Sequence, residues 1–377
     1  MKVKLSDAFD LQMGKTPPRN DRECWGDGYK WISISDIGNA GKYIDTTKEE
    51  ITDIGVSKSG IKVVPKGTVI MSFKLSIGKT AITAEDMYTN EAIMAFINKG
   101  KYEIDTDYLY HMCKGIDWFE GTNKAVLGLT LNKATMSEKT IEIPPMKVQQ
   151  QVVAVLDKMD ELITMRKEQL VKLDQLVKSR FIELFIGKGY LTKTVDEVSL
   201  GKGEYGAQSA STAYDPTRPR YVRITDINDD GTLNDDVVAS ANLDDDEQYK
   251  LEYGDFMFAR MGATVGKTYA FIEGNQIFAG YLIRYRLNQE LINPRYLYWY
   301  TRLDDYWNWV KLNQSGAAQP GINAKKYGSL QVPLPPIAEQ NVFAAFVEQT
   351  EKSKLAIQQS LDKLELLKKS LMQQYFG

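Results

Sequence analysis

One histidine, two cysteines and no long apolar run exclude several function classes before any motif is read. His111 alone cannot supply the clustered imidazoles of most metal sites or the nucleophile–histidine pairs of many hydrolases. Its neighbours Tyr108 and Tyr110 point instead to a structural histidine on an aromatic helix. Cys24 and Cys113 both fall in the first third of the chain and read as two ordinary thiols, neither a disulfide nor a zinc site. No stretch reaches the roughly 20 apolar residues of a membrane span, and the first seven residues lack the apolar core of a signal peptide. The expected location is therefore cytoplasmic. Net charge is also small: 47 basic against 50 acidic side chains leave −3, which argues against non-specific coating of nucleic acid.

Nucleotide and cofactor motifs are missing as well. Gly78-Lys79-Thr80 suggests a phosphate loop, but the required glycine five positions earlier is Phe73, and Met261 stands there for the related Gly266-Lys267-Thr268. The triplet reads better as a hairpin turn presenting a lysine. Two Pro-Pro pairs resemble part of the adenine-methyltransferase motif, yet Ile143 and Leu334 replace the amide that would hold the base. No glycine-rich strand-to-helix turn for S-adenosylmethionine accompanies them. An enzyme reading is weak, and no cofactor or metal is expected on this chain.

What is present is a duplication. Trp31-Ile32-Ser33-Ile34-Ser35-Asp36-Ile37 returns as Tyr221-Val222-Arg223-Ile224-Thr225-Asp226-Ile227. The Gly-Lys-Thr triplet, Asp107-Tyr108-Leu109-Tyr110 (again as Pro294-Arg295-Tyr296-Leu297-Tyr298) and Pro144-Pro145 with Gln149 (again as Pro335-Pro336 with Gln340) follow in the same order. A repeat this long is a domain with its own core, not a solenoid unit. Each copy opens with mixed α/β (α+β) texture: β-like alternation at 62–64, 68–72 and 80–83, echoed at 256–259 and 268–272, then an aromatic helix at 106–115 and 294–300. Asp107 and Asn293 are the expected helix starts.

After each Pro-Pro pair the texture changes. Val152, Leu156, Met159, Ile163, Leu170, Leu173, Val177 and Leu184 follow steps of four and three without glycine or proline, and Ile357, Leu361, Leu364, Leu371 and Tyr375 mark a second stripe. Two such helices bury their stripes on each other as an antiparallel coiled coil. The expected domains are 1–145 and 188–335, globular, with helical regions 146–187 and 336–377, arranged with pseudo-two-fold symmetry.

Charge is distributed unevenly. Residues 57–84 hold five lysines and no acid, and 306–338 hold three lysines and no acid. Residues 226–255 carry eleven acids against Lys250, an arm expected to face solvent or a basic partner. The candidate contact residues are the turn residues Lys74, Lys79, Arg260 and Lys267; the loop residues Asn123, Lys124, Asn132, Lys133, Gln314, Gln319, Asn323 and Lys325; and the cluster Arg218, Arg220 and Arg223. Lys74 is read as the counterpart of Arg260. Trp31 and Tyr221 read as core aromatics.

Globular part, long helix, globular part, long helix, with Ile/Leu-Pro-Pro and a glutamine heading each helix, resembles the DNA specificity subunits of type I restriction-modification systems. The resemblance implies a non-catalytic subunit in which each globular part, a target-recognition domain, reads half of a bipartite target in double-stranded DNA; the candidate contact residues above are then DNA contacts, with Arg218, Arg220 and Arg223 suited to guanine edges or phosphate. It also implies that the helices set the spacer and dock two methyltransferase (modification) subunits around Pro144, Pro145, Gln149, Pro335, Pro336 and Gln340. S-adenosylmethionine, ATP and Mg2+ would then belong to partners, among them restriction subunits. Two other readings stand beside it: an adenine-specific DNA methyltransferase acting alone, and a coiled-coil scaffold with no DNA role.

Overall fold

The apolar run Val69–Ser72 and its echo Asp255–Ala259 are buried at every position, so each needs a sheet neighbour on both edges and cover on both faces. The computed structural model describes residues 1–74, 76–119, 131–316 and 320–377. They form two units, Met1–Lys167 with Gln359–Gly377, and Glu168–Gln358. Each unit holds one globular part and the facing halves of both long helices.

In the first unit the five-stranded sheet runs Phe9–Met13, Ile93–Asn98, Val69–Ser72, Thr80–Thr83, Tyr43–Ile44, antiparallel except for the last pair. A three-stranded sheet of Glu49–Ile51, Trp25–Ile32 and Tyr88–Thr89 stands beside it. The aromatic helix Thr106–Gly115 contributes Tyr108, Leu109, Tyr110, Met112 and Cys113 to the core. Its cap is Asp105, not Asp107: the Asp105 carboxylate accepts from the backbone N–H of Asp107 and Tyr108, as an N-cap must. Both cysteines are buried free thiols.

The second unit repeats the plan with four strands, Glu204–Tyr205, Leu282–Arg286, Asp255–Ala259 and Thr268–Ala270, and a helix Pro294–Tyr300 capped by Asn293. In each unit a short strand at the start of the copy pairs with one just before Pro-Pro: Lys2–Lys4 with Thr140–Glu142, and Thr192–Thr194 with Gln331–Pro333. The acidic segment does not face solvent throughout. Asp226 is sealed by Arg223, and Asp255 is buried against Arg284, which also binds Glu204.

The long helices span Met146–Phe185 and Ile337–Phe376. Within the first unit Asp160 pairs with Lys368 and Lys167 with Glu365; within the second, Asp174 pairs with Lys354. Partners descend along one helix as they ascend along the other, so the pair is antiparallel. Its seam also belongs to the globular cores. Val152 and Leu156 join the first core, while Phe181 and Phe185 pack on Tyr296 and Phe343 in the second.

Candidate nucleic-acid interface

Backbone hydrogen bonds set the register between the two copies. Ser72 and Ala259 each donate to the carbonyl of the turn lysine, Lys79 or Lys267, and Gly78 and Gly266 take φ of +89° and +91°. That left-handed conformation is the reason for glycine in both turns. The next residues along, Phe73 and Arg260, donate to Ala92 and Tyr281 respectively. The expected match of Lys74 with Arg260 is thus corrected: the counterpart of Arg260 is Phe73, because the second turn holds one more residue than the first.

The same correspondence extends across the surface beside the turn. Trp31 Nε1 donates to the Lys15 carbonyl at 2.9 Å, and Tyr221 Oη donates to the Ala207 carbonyl at 2.7 Å. Both aromatics are buried. Asp36 and Asp226 each accept from the backbone three residues earlier, Ser33 N at 2.8 Å and Arg223 N at 2.9 Å. At Gly14 and Gly206 a Cβ would lie 1.9 Å and 2.3 Å from a facing carbonyl oxygen, so only glycine permits the close approach. The skeleton is shared, and the side chains it displays differ.

In the second unit the surface is a cleft of about 590 Å³ lined by Gln208, Ser209, Arg223, Thr225, Arg260 and Tyr281 among others, with two guanidinium groups and no carboxylate. Arg260 Nε donates to the Gly280 carbonyl at 3.1 Å, and the guanidinium carbon sits 5.0 Å from the Tyr205 ring centroid and 5.6 Å from that of Tyr281. The corresponding positions of the first unit are Met13, Phe73 and Ala92 for Tyr205, Arg260 and Tyr281.

The other candidates separate by what already holds them. Arg223 grips Asp226 through Nε and Nη2 and donates to the Val237 carbonyl. Arg220 holds Asp235 and the Asn234 carbonyl, and Arg218 donates to the Leu243 carbonyl. The reading of these three as an open cluster is corrected accordingly: they pin the acidic segment to its own unit. Lys267 likewise bonds Asp229 at 2.8 Å and the Ile227 carbonyl at 3.1 Å, and it holds the Asp229 carboxyl below the usual range. Its counterpart Lys79 makes no ion pair among the described residues, nor does Lys74, whose ammonium lies 5.3 Å from the Phe73 ring.

Asn132 and Asn323 are helix caps, each accepting from a backbone N–H three residues on at 2.9 Å. This engages their carbonyl oxygens in local structure, while Lys133, Lys325 and Gln314 remain exposed. Asn123, Lys124 and Gln319 lie outside the described residues. Tyr205 and Tyr281, 44% and 53% exposed, were not singled out by sequence, since composition does not distinguish an exposed tyrosine from a core one. The divergence between copies at these two positions is the signal that marks them.

The glutamines heading the helices require a further correction. Gln149 and Gln340 are fully buried. Gln149 donates to the Glu103 and Pro144 carbonyls and accepts from Asp105 N; Gln340 does the same with Leu291, Pro335 and Asn293. They staple each aromatic helix to the start of a long helix. Like the buried Pro335, they have no surface to offer a partner; Pro145 and Pro336 are exposed and Pro144 is half-buried. His111 is buried too, bonded through Nε2 to Asp157 at 2.7 Å, with burial pulling its pKa below the ordinary value. Among the described residues there is no cluster of metal-ligating side chains, and no helix is long and apolar enough to cross a membrane.

Comparison with known proteins agrees with this geometry. The family described as type I restriction modification DNA specificity domain matches residues 1–175 and again 194–366. The MjaIX specificity subunit of Methanocaldococcus jannaschii is 29% identical over 187 residues, 48% of this chain and 43% of that protein. The EcoR124I/EcoR124II specificity subunit of Escherichia coli is 26% identical over 176 residues, 45% of this chain and 43% of its own. The aligned part is thus under half the length of these relatives. A chain from a structural study of type I R-M complex assembly superposes over 100% of this chain and 97% of its own, with TM-score 0.66 and 16% identity. The S subunit of M. genitalium does so over 100% and 96%, with TM-score 0.57 and 15% identity, a likeness of fold. Matched twice along its length, the chain belongs to the type I restriction modification DNA specificity domain family.

Proposed function

We propose that this chain is the non-catalytic DNA-recognition subunit of a type I restriction-modification complex, each globular part reading one half of a split target in double-stranded DNA. The observation that carries the proposal is the pair of copies with one hydrogen-bonded skeleton and different displayed side chains, each copy matched by the specificity family. A conserved frame with divergent contacts is what two readers of two sequences require. Lys74, Lys79 and Arg260, with the exposed Lys133, Gln314 and Lys325, supply the contacts, phosphate for the lysines and base edges for the fork of Arg260.

The long helices hold the spacing and dock two modification subunits, which contribute S-adenosylmethionine; restriction subunits contribute the ATP- and Mg2+-dependent steps. Docking falls to exposed apolar positions on the helices, Val148, Val155 and Met165 on the first and Val342 and Leu355 on the second, which no core needs. The work is done in the cytoplasm. Methylome sequencing of cells carrying the chain with its modification subunit tests the function: a bipartite motif with a fixed unspecified gap is expected, and a continuous motif or none contradicts it.

A further inference from the structure

We infer that Arg260 is a preorganised guanine reader, and that the guanine requirement it imposes belongs to the second half-site alone. The inference rests on the DNA-recognition reading above. Arginine meets guanine by offering two N–H groups to O6 and N7, a fork whose worth depends on being held in place before contact. Arg260 is so held. Its Nε is tied to the Gly280 carbonyl, its guanidinium carbon lies over the rings of Tyr205 and Tyr281, and Tyr205 is itself fixed by accepting the Ala324 N–H at 3.2 Å. Among the described residues neither terminal nitrogen has a partner, which of the arginines of this unit is true of Arg260 only.

The surroundings select a base edge over a phosphate. The cleft wall beside Arg260 carries neutral donors and acceptors, Gln208, Ser209 and Thr225, and the one other cation there, Arg223, is neutralised by Asp226. Two exposed tyrosines present apolar ring area next to the fork. The first unit has the same backbone at this point and none of these side chains, since Met13, Phe73 and Ala92 take their places. It therefore reads its half-site by other means.

The test uses the full chain assembled with its modification subunits and a duplex carrying the methylated motif, with binding measured by fluorescence anisotropy. Exchanging one G·C pair of the second half-site for A·T weakens the wild type by about 5- to 160-fold, the scale of one bidentate pair. Replacing that guanine by 7-deazaguanine, which lacks the N7 acceptor, also weakens it. Arg260→Ala loses both sensitivities while keeping discrimination at the other base pairs of the second half-site, which reports that the second unit is folded. Arg260→Ala weakening every duplex by one common factor, with sensitivity to 7-deazaguanine intact, makes Arg260 a phosphate contact and overturns the inference. A bipartite motif whose second half has no G·C pair overturns it as well, while leaving the recognition function standing. The absence of any bipartite motif removes both.

Discussion

Gln149→Met removes a buried amide while keeping the length and apolar stem of the side chain. Three hydrogen bonds at 2.9–3.0 Å disappear, and the partners stay behind: the Asp105 N–H and the carbonyls of Glu103 and Pro144. The N–H is the costliest loss, because it is a single donor in a site closed to water. A buried polar group left unpaired costs about 1–3 kcal/mol, and each carbonyl keeps a second lone pair, so the three together cost about 2–5 kcal/mol. The loss falls where the start of Thr106–Gly115 meets the long helix. Hydrogen exchange read by mass spectrometry should show amides of that helix exchanging about 30- to 5000-fold faster, the same range as a ratio. Pro294–Tyr300, in the other unit, should be unchanged, as should both after Gln150→Ala at the exposed neighbouring position. Unaltered exchange in Gln149→Met, with binding of modification subunits lost, would refute the staple and restore a docking role.

The remaining predictions concern buried ionisable groups. His111 is the chain's one histidine, so its imidazole is a single resolvable NMR signal. Burial, opposed by Asp157, holds its pKa below the ordinary value of about 6.5, and the folded state therefore favours the neutral ring. Its contribution to stability is complete above that value and is lost as pH falls below it; titration at or above the ordinary value would contradict this. Arg284→Met leaves Asp255 buried without its guanidinium and should cost about 3–5 kcal/mol in urea unfolding at neutral pH. Burial already raises the Asp255 pKa, so the deficit should shrink as acid protonates that carboxyl; a pH-independent deficit would argue against the pairing.

The large periods of this chain were legible in its sequence. The tandem copies, the aromatic helices at 106–115 and 294–300, and the long seams follow from apolar spacing and from glycine and proline, which act locally. Relations through space were not. The two turns differ by one residue, and only backbone hydrogen bonds fix where that residue goes; the alignment of Lys74 with Arg260 failed for this reason. The paired strands Lys2–Lys4 and Thr140–Glu142 are three residues each and far apart in sequence, too short for a pattern. Gln149 and Gln340 are expected at a docking surface because the resemblance puts partner contacts at the helix starts, whereas helix starts leave backbone groups that a buried amide satisfies. Arg220 read as free because its partner Asp235 comes fifteen residues later, in a segment whose acidity suggested solvent, and Arg223 because a charge three residues on, Asp226, fixes no pairing until the backbone turns it inward.

Independence of the two readers is tested most directly by exchanging residues 1–143 for the same region of a relative with a different target and sequencing the methylome. A new first half-site is expected, with the second half-site and the gap between them unchanged. Changes in both half-sites, or an unchanged motif, would contradict it.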